Sequence, residues 1–249
     1  MALREEIEKQ SNWMFRMRSY LPLLFIPVFI YFIRNVGQME YTFGSKVEDV
    51  FEAICIAISF SGLILRCVVA GYAPEGTSGG NTKGHYAKTL NATGIYSLMR
   101  HPLYLGNVII FFGFTLFLES WWVSVICTAV FWFYYERIIF SEEEFLRKQF
   151  GNQYLEWAKK THAFIPNFRN WQKPSLKFSF RKVLKREYAG FFVIVVVSTL
   201  LEFLAPVFTE GKAGLSLGWL VFFTTGLVIY LILIVLKITT KLLNSSSSI

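Results

Sequence analysis

Two short strings hold the residue types that could do chemistry. The first is Gly94-Ile-Tyr96-Ser-Leu-Met-Arg100-His101-Pro102-Leu103-Tyr104-Leu-Gly106, directly ahead of an apolar run. The second follows the next apolar run and reads Glu142-Glu143-Glu144-x-Leu146-x-x-x-Phe150-Gly151-x-x-Tyr154. A proline fits the first position of a helix, where its missing N–H has no intrahelical partner. Pro102 therefore predicts a helix start, with His101 at the cap. The free N–H groups of that first turn, the helix dipole and the Arg100 guanidinium make an anion site. The bland alternative is an interfacial anchor in which Arg100 and Tyr104 grip headgroups. The three adjacent carboxylates suit a cation, and a sulfonium or an amine is the candidate. Glu142, Leu146 and Phe150 share one helix face. Glu143 with Arg147, and Glu144 with Lys148, have the spacing of i,i+4 ion pairs, so ordinary solvated charge accounts for part of the acidity. Phe150-Gly151 ends or bends that helix.

These strings need elements to position them, and composition says which. Of 249 residues, 54% are hydrophobic and 26 are Phe, which points to an integral membrane protein. Apolar runs predict spans at about 19–35, 50–70, 103–119, 121–139, 188–208 and 216–236. Only Glu119-Ser120 joins the third to the fourth, so these two form a tight hairpin. The fifth is read as ending near Pro206. The net charge of +8 is distributed by topology rather than as a nucleic-acid surface: Lys and Arg number twenty-one on one side of the spans and two on the other. That bias places both termini and both long loops in the cytoplasm. Charge in residues 1–19 argues against a cleavable leader. Cys55, Cys67 and Cys127 lie in apolar runs, and His85, His101 and His162 lack metal-ligand spacing, so no metal is expected. The expected architecture is an all-α integral membrane protein of about six transmembrane helices, one membrane domain over 1–249, with cytoplasmic loops over a pocket.

Residues 71–166 resemble the membrane methyltransferase superfamily of isoprenylcysteine carboxyl methyltransferases and phospholipid N-methyltransferases. Gly94-Ile-Tyr96, Arg100-His-Pro-x-Tyr104-x-Gly106, Arg137, Glu142-Glu143-x-x-Leu146, Phe150-Gly151-x-x-Tyr154 and Ile165-Pro166 carry the resemblance. It implies S-adenosylmethionine (SAM) as cofactor, held without a Rossmann domain. Carried over residue by residue, Tyr96, His101, Pro102, Leu103 and Tyr104 line the cofactor pocket. Lys88, Thr89, Leu90 and Asn91, with Asn81, add to its lid. Glu142 or Glu143 holds the amino or ribose end, and the third glutamate leaves that register open by one residue. Arg137, with Arg100 as second choice, positions an anionic acceptor. The last hairpin, 188–236, lies outside the resemblance.

Within the superfamily, the long loop Gly76-Thr-Ser-Gly-Gly-Asn-Thr, Leu90-Asn-Ala-Thr-Gly-Ile-Tyr and Leu103-Tyr-Leu-Gly-Asn107 look most like a bacterial branch associated with methylation of the lipid A 1-phosphate, which implies a bacterial inner membrane. The alternatives are an isoprenylcysteine carboxylate or the amine of phosphatidylethanolamine as acceptor. More distant readings are an NADPH-dependent membrane reductase with a similar Arg-His-Pro hairpin end, and a scaffold without enzymatic activity. The expected partner is a membrane lipid or lipidated substrate.

Overall fold

Prolines and close glycine contacts decide much of the helical layout. The computed structural model describes residues 3–74 and 87–239, and every regular element among them is helical. The glycine-rich stretch 75–86, which contains Asn81, lies outside the described residues. The helices are α1 (Leu3–Met17), α2 (Ile26–Phe32), α3 (Gln38–Phe43), α4 (Ser45–Tyr72), α5 (Ile95–Leu98), α6 (Pro102–Leu116), α7 (Trp121–Phe150), α8 (Asn152–Lys160), α9 (Phe180–Glu210) and α10 (Leu217–Thr239). Leu21–Phe43, α4, α7, α9 and α10 are each long and apolar enough to cross a membrane. The chain is a multi-pass integral membrane protein.

Three expected spans are redrawn. Pro22 and Pro27 each remove a backbone donor, so the first run is a 3₁₀ turn at Leu21–Phe25 followed by α2, not one regular helix. The third, α6, has 15 residues and is about 22 Å long, short of a hydrocarbon core of about 30 Å. The fifth runs through Pro206 to Glu210, because Pro206 sits one turn from the end, where Gly211 in a left-handed conformation closes the helix. The turn between α6 and α7 takes four residues, 117–120, rather than the two expected. Glu119 adopts φ +52°, and its carboxylate accepts from Gly37 N at 2.9 Å and Met39 N at 2.8 Å, neutralising free donors at the start of α3.

The chain divides into two compact units. One comprises Ile26–Gly71, Gly106–Thr128 and Ser179–Ile249. Its α4 and α6 touch backbone to backbone at small residues, the usual way for helices to associate where water provides no driving force. A Cβ on Gly113 would lie 2.6 Å from Cys55 O and 2.1 Å from Ser59 Oγ; one on Gly62 would lie 2.5 Å from Gly106 O. The Cys55 and Gly106 carbonyls are backbone and cannot rotate away. Gly113→Ala is therefore expected to cost about 1–3 kcal/mol, read as a lower unfolding midpoint in detergent. Gly214→Ala, with open space around it, is the silent control. Equal midpoints for the two variants would refute the close contact. Polar bonds add to this packing: Arg66 grips Glu187 through Nε at 2.8 Å and Nη2 at 3.1 Å, and also donates to Asn107.

The other unit comprises Met1–Phe25, Tyr72–Leu105 and Ala129–Phe178. Here α1 runs antiparallel along α7. Tyr134 Oη donates to Met14 O at 3.0 Å, Ser141 Oγ to Asn12 Oδ1 at 2.7 Å, and Lys148 pairs with Glu8. Both chemistry-bearing strings belong to this unit, save Gly106 at the end of the first.

Candidate functional site

The site is built from an extended strip, two helix ends and a row of rings. Gly94, at φ +63°, opens the one-turn α5, and a Cβ there would meet Pro174 Cγ at 3.2 Å. After α5 the chain extends at Met99 and runs beside the segment that leaves α8. Arg100 N donates to His162 O at 2.8 Å and His101 N to Ala163 O at 3.0 Å. Trp157 Nε1 donates to Tyr96 O at 3.1 Å, and Asn167 N to Leu98 O at 3.0 Å. These bonds hold 94–101 against 157–167. Pro102 is the first residue of α6, and Leu105 N donates to His101 O, so His101 is the cap residue that the sequence implied.

The side chains of that strip converge on α7. Arg100 Nε and His101 Nε2 each lie 2.8 Å from the same oxygen, Glu143 Oε1. Arg100 Nη1 also donates to Ala158 O at 3.0 Å and Thr161 O at 2.6 Å, satisfying carbonyls at the C-terminal end of α8. Glu143 is therefore committed to protein donors, and the i,i+4 pairs expected on α7 do not form. Arg147 pairs with Glu144 at 3.7 Å instead, and Lys148 turns to Glu8. The reason is geometric: a half-buried arginine with two carbonyls already in place holds Glu143 more firmly than an exposed Arg147 could.

Glu142 is left with a different role. Its Oε2 is buried and has no hydrogen-bond partner, and neither has the hydroxyl of Tyr154. Tyr104 is a hydrogen-bonding neighbour of Glu142. Burial, reinforced by the nearby Glu143 charge, pushes the Tyr154 phenol well above its ordinary pKa, so it stays a neutral donor. Rings wall this corner: Tyr104 and Tyr135 have centroids 5.0 Å apart, His101 and Tyr104 6.0 Å, and His101 and Phe164 6.0 Å, with Trp132 4.2 Å from Phe164. A carboxylate beside ring faces is suited to a desolvated cation. Orphaned buried polar atoms are rare unless something else pairs with them.

The remaining expected residues are placed unevenly. Pro102 is buried and Leu103 half-buried in the first turn of α6. Lys88 and Thr89 are exposed, Leu90 and Asn91 half-buried, and the neighbouring Ala87 carbonyl accepts from Gln149 Nε2. Asn81 lies outside the described residues. Arg137 is exposed on α7, five residues before Glu142 and so about 140° around the helix from it. Three residues of this corner were missed. Tyr135 lies seven residues before Glu142, two turns along the same face, a signal present in the sequence. Tyr154 was noted only as part of a string. Arg18 is an electrostatic neighbour of Tyr104 from the distant N-terminal segment, and no local spacing announces it.

A model of the phospholipid methyltransferase family matches residues 53–153, a span that takes in His101, Arg137, Glu142 and Glu143. Over those residues, about two-fifths of the chain, it is similar to that family. Among proteins similar to it is a probable protein-S-isoprenylcysteine O-methyltransferase of Oryza sativa subsp. indica, 41% identical over 73 residues, which are 29% of this chain and 38% of that protein. Protein-S-isoprenylcysteine O-methyltransferase A of Arabidopsis thaliana is 38% identical over 73 residues, 29% of this chain and 37% of that protein. The cobalt-zinc-cadmium resistance protein CzcN of Cupriavidus metallidurans is 36% identical over 83 residues, 33% of this chain and 38% of that protein. The chain thus spans under two-fifths of these relatives' lengths. No solved structure matches it significantly. Outside the matched residues lie all of α1, α2 and α3, the start of α4, α8 beyond its first two residues, and all of α9 and α10. Among the described residues, no three His, Cys, Asp or Glu side chains are grouped to hold a metal ion.

Proposed function

We propose that the protein is a membrane methyltransferase that uses SAM to methylate an anionic oxygen on a lipidated acceptor, with the carboxylate of an isoprenylcysteine as the preferred acceptor. The observation that carries the proposal is the corner where His101, Glu142, Glu143, Tyr104 and Tyr154 meet, with two buried polar atoms unpaired. Its donor and acceptor set fits SAM. Glu142, with its open oxygen, would take an amino or hydroxyl group, which supports Glu142 among the three glutamates. Tyr154 would donate to an oxygen, and the rings of Tyr104 and Tyr135 would face positive charge. SAM, when bound, supplies a methyl group on a sulfonium whose sulfur leaves with the bonding electrons.

The protein's own part is placement. A carboxylate or phosphate is already ionised at neutral pH, so no base is required. Alignment and exclusion of water then account for much of the rate, up to about 7–11 kcal/mol in favourable cases. Arg100 is taken by Glu143 and two carbonyls, whereas Arg137 is exposed, so Arg137 is assigned to the acceptor's anion. Exposed Phe133 and Val130, one and two turns earlier on the same stripe, would carry the acceptor's apolar chain. The one-sided distribution of Lys and Arg supports a cytoplasmic location for this chemistry.

The relatives' names favour the isoprenylcysteine carboxylate over the lipid A 1-phosphate that the sequence strings suggested; no relative named above concerns lipid A. Membranes containing the protein are incubated with methyl-labelled SAM and a prenylated cysteine bearing a free carboxylate. Base-labile methyl ester on the prenylcysteine is the expected result. Label in the lipid extract as a phosphate ester would move the acceptor to lipid A and the membrane to a bacterial inner membrane. Label in neither fraction would sink the transferase reading.

A further inference from the structure

Residues 165–178 have two dissimilar sides. One is spent on the strip that builds the site. Besides the Asn167 to Leu98 bond, Gly94 N donates to Gln172 O at 3.0 Å, Gln172 N to Ser97 Oγ at 2.9 Å, and Ser175 N to Thr93 Oγ1 at 3.3 Å. The other side displays large apolar groups: Ile165 and Phe168 are each 74% exposed and Trp171 53%, with Leu176 exposed as well. Between them stand the exposed cations Arg169, Lys173 and Lys177. No acidic residue occurs from Trp157 to Arg186. Rings and aliphatic side chains alternating with uncompensated cations match one environment well, the headgroup layer of a bilayer, where apolar groups sink among acyl chains and cations meet phosphate. The chain position agrees. Phe180, two residues further on, begins α9, which is long and apolar enough to enter the membrane.

We propose that residues 165–178 are a membrane-surface anchor that docks on anionic phospholipid headgroups. Because the same residues hold 93–98 through their backbone groups, bonded to backbone groups and hydroxyl oxygens, docking steadies the strip that presents Arg100 and His101. Nothing in this rests on the nature of the reaction.

The test places the full chain in lipid discs open on both faces, made from phosphatidylcholine alone or with phosphatidylglycerol added, and follows trypsin cleavage after Arg169 and Lys177, normalised to a soluble substrate. Lys173 precedes Pro174 and is resistant. Anionic lipid is expected to slow both cleavages about tenfold, with protection lost in about 1 M salt. In the triple variant R169Q/K173Q/K177Q, chymotrypsin cleavage after Phe168 and Trp171 should become insensitive to the anionic lipid, while the wild type stays protected. Equal cleavage in the two lipids overturns the proposal. So does protection in neutral discs that grows with protein density, which would assign the surface to a second copy of the chain, or protection by added polyglutamate as strong as that by phosphatidylglycerol, which would assign it to a soluble acidic partner.

Discussion

Replacing Glu143 with Ala is expected to destabilise the unit that carries the site and abolish SAM binding in one step. A single carboxylate oxygen takes Arg100 Nε and His101 Nε2, each at 2.8 Å. The Arg100 and His101 side chains are 17% and 5% exposed, so water replaces only part of what is lost. Removing the carboxylate strands a largely buried guanidinium and leaves the imidazole unoriented, a cost of about 2–4 kcal/mol. That is a large fraction of the roughly 5–15 kcal/mol that holds a typical domain folded. Glu143→Gln keeps an oxygen for Arg100 but not the charge, so an intermediate unfolding midpoint is expected. Adding Arg100→Met to Glu143→Ala removes the stranded cation and should recover part of the midpoint without recovering SAM binding. Thermal unfolding in detergent, with and without SAM, reads all three variants. A Glu143→Ala protein with the parent's midpoint and the parent's SAM protection would show that this carboxylate does not organise the site.

How far the site was legible depends on how local each interaction is. Pro102 as helix start and His101 as cap follow from the chemistry of one dipeptide, and both are found. The hairpin between α6 and α7 follows from a two-residue polar gap, and it too is found, although α6 is shorter than a full span. The partner of Glu143 was misread because i,i+4 spacing assumes that nothing outside the helix competes. Arg100, 43 residues away in sequence, does compete. The packing of α1 along α7 was not foreseen for the same reason: Tyr134 to Met14 and Lys148 to Glu8 are pairings between residues far apart in the chain. The strip 94–101 pairs with 157–167 through backbone groups, and backbone donors and acceptors leave no trace in residue identity.

Glu142 and Arg137 are expected to fail in opposite ways, and this contrast discriminates most sharply among readings of the site. Glu142→Gln leaves the fold intact because Oε2 has no partner to lose, but it removes the negative charge offered to a cation. SAM affinity should drop about 10–100-fold, with most of kcat regained at saturating SAM. Arg137→Ala removes an exposed group that makes no described contact, so the unfolding midpoint and SAM affinity should stay unchanged. Loss of an oriented cation from the acceptor's anion should lower kcat/KM for the acceptor about 10²–10³-fold, by analogy with removing a preorganised donor. Arg137→Lys, which keeps charge but loses the two-pronged geometry, should fall between. The position of Arg137 makes this a severe test, since it lies about 140° around α7 from Glu142 and the acceptor must reach round the helix flank to meet the donor. An Arg137→Ala enzyme with undiminished kcat/KM would remove that residue from the reaction. The acceptor's anchor would then pass to Arg18, the guanidinium that already neighbours Tyr104, and Arg18→Ala would have to show the acceptor-specific loss in its place.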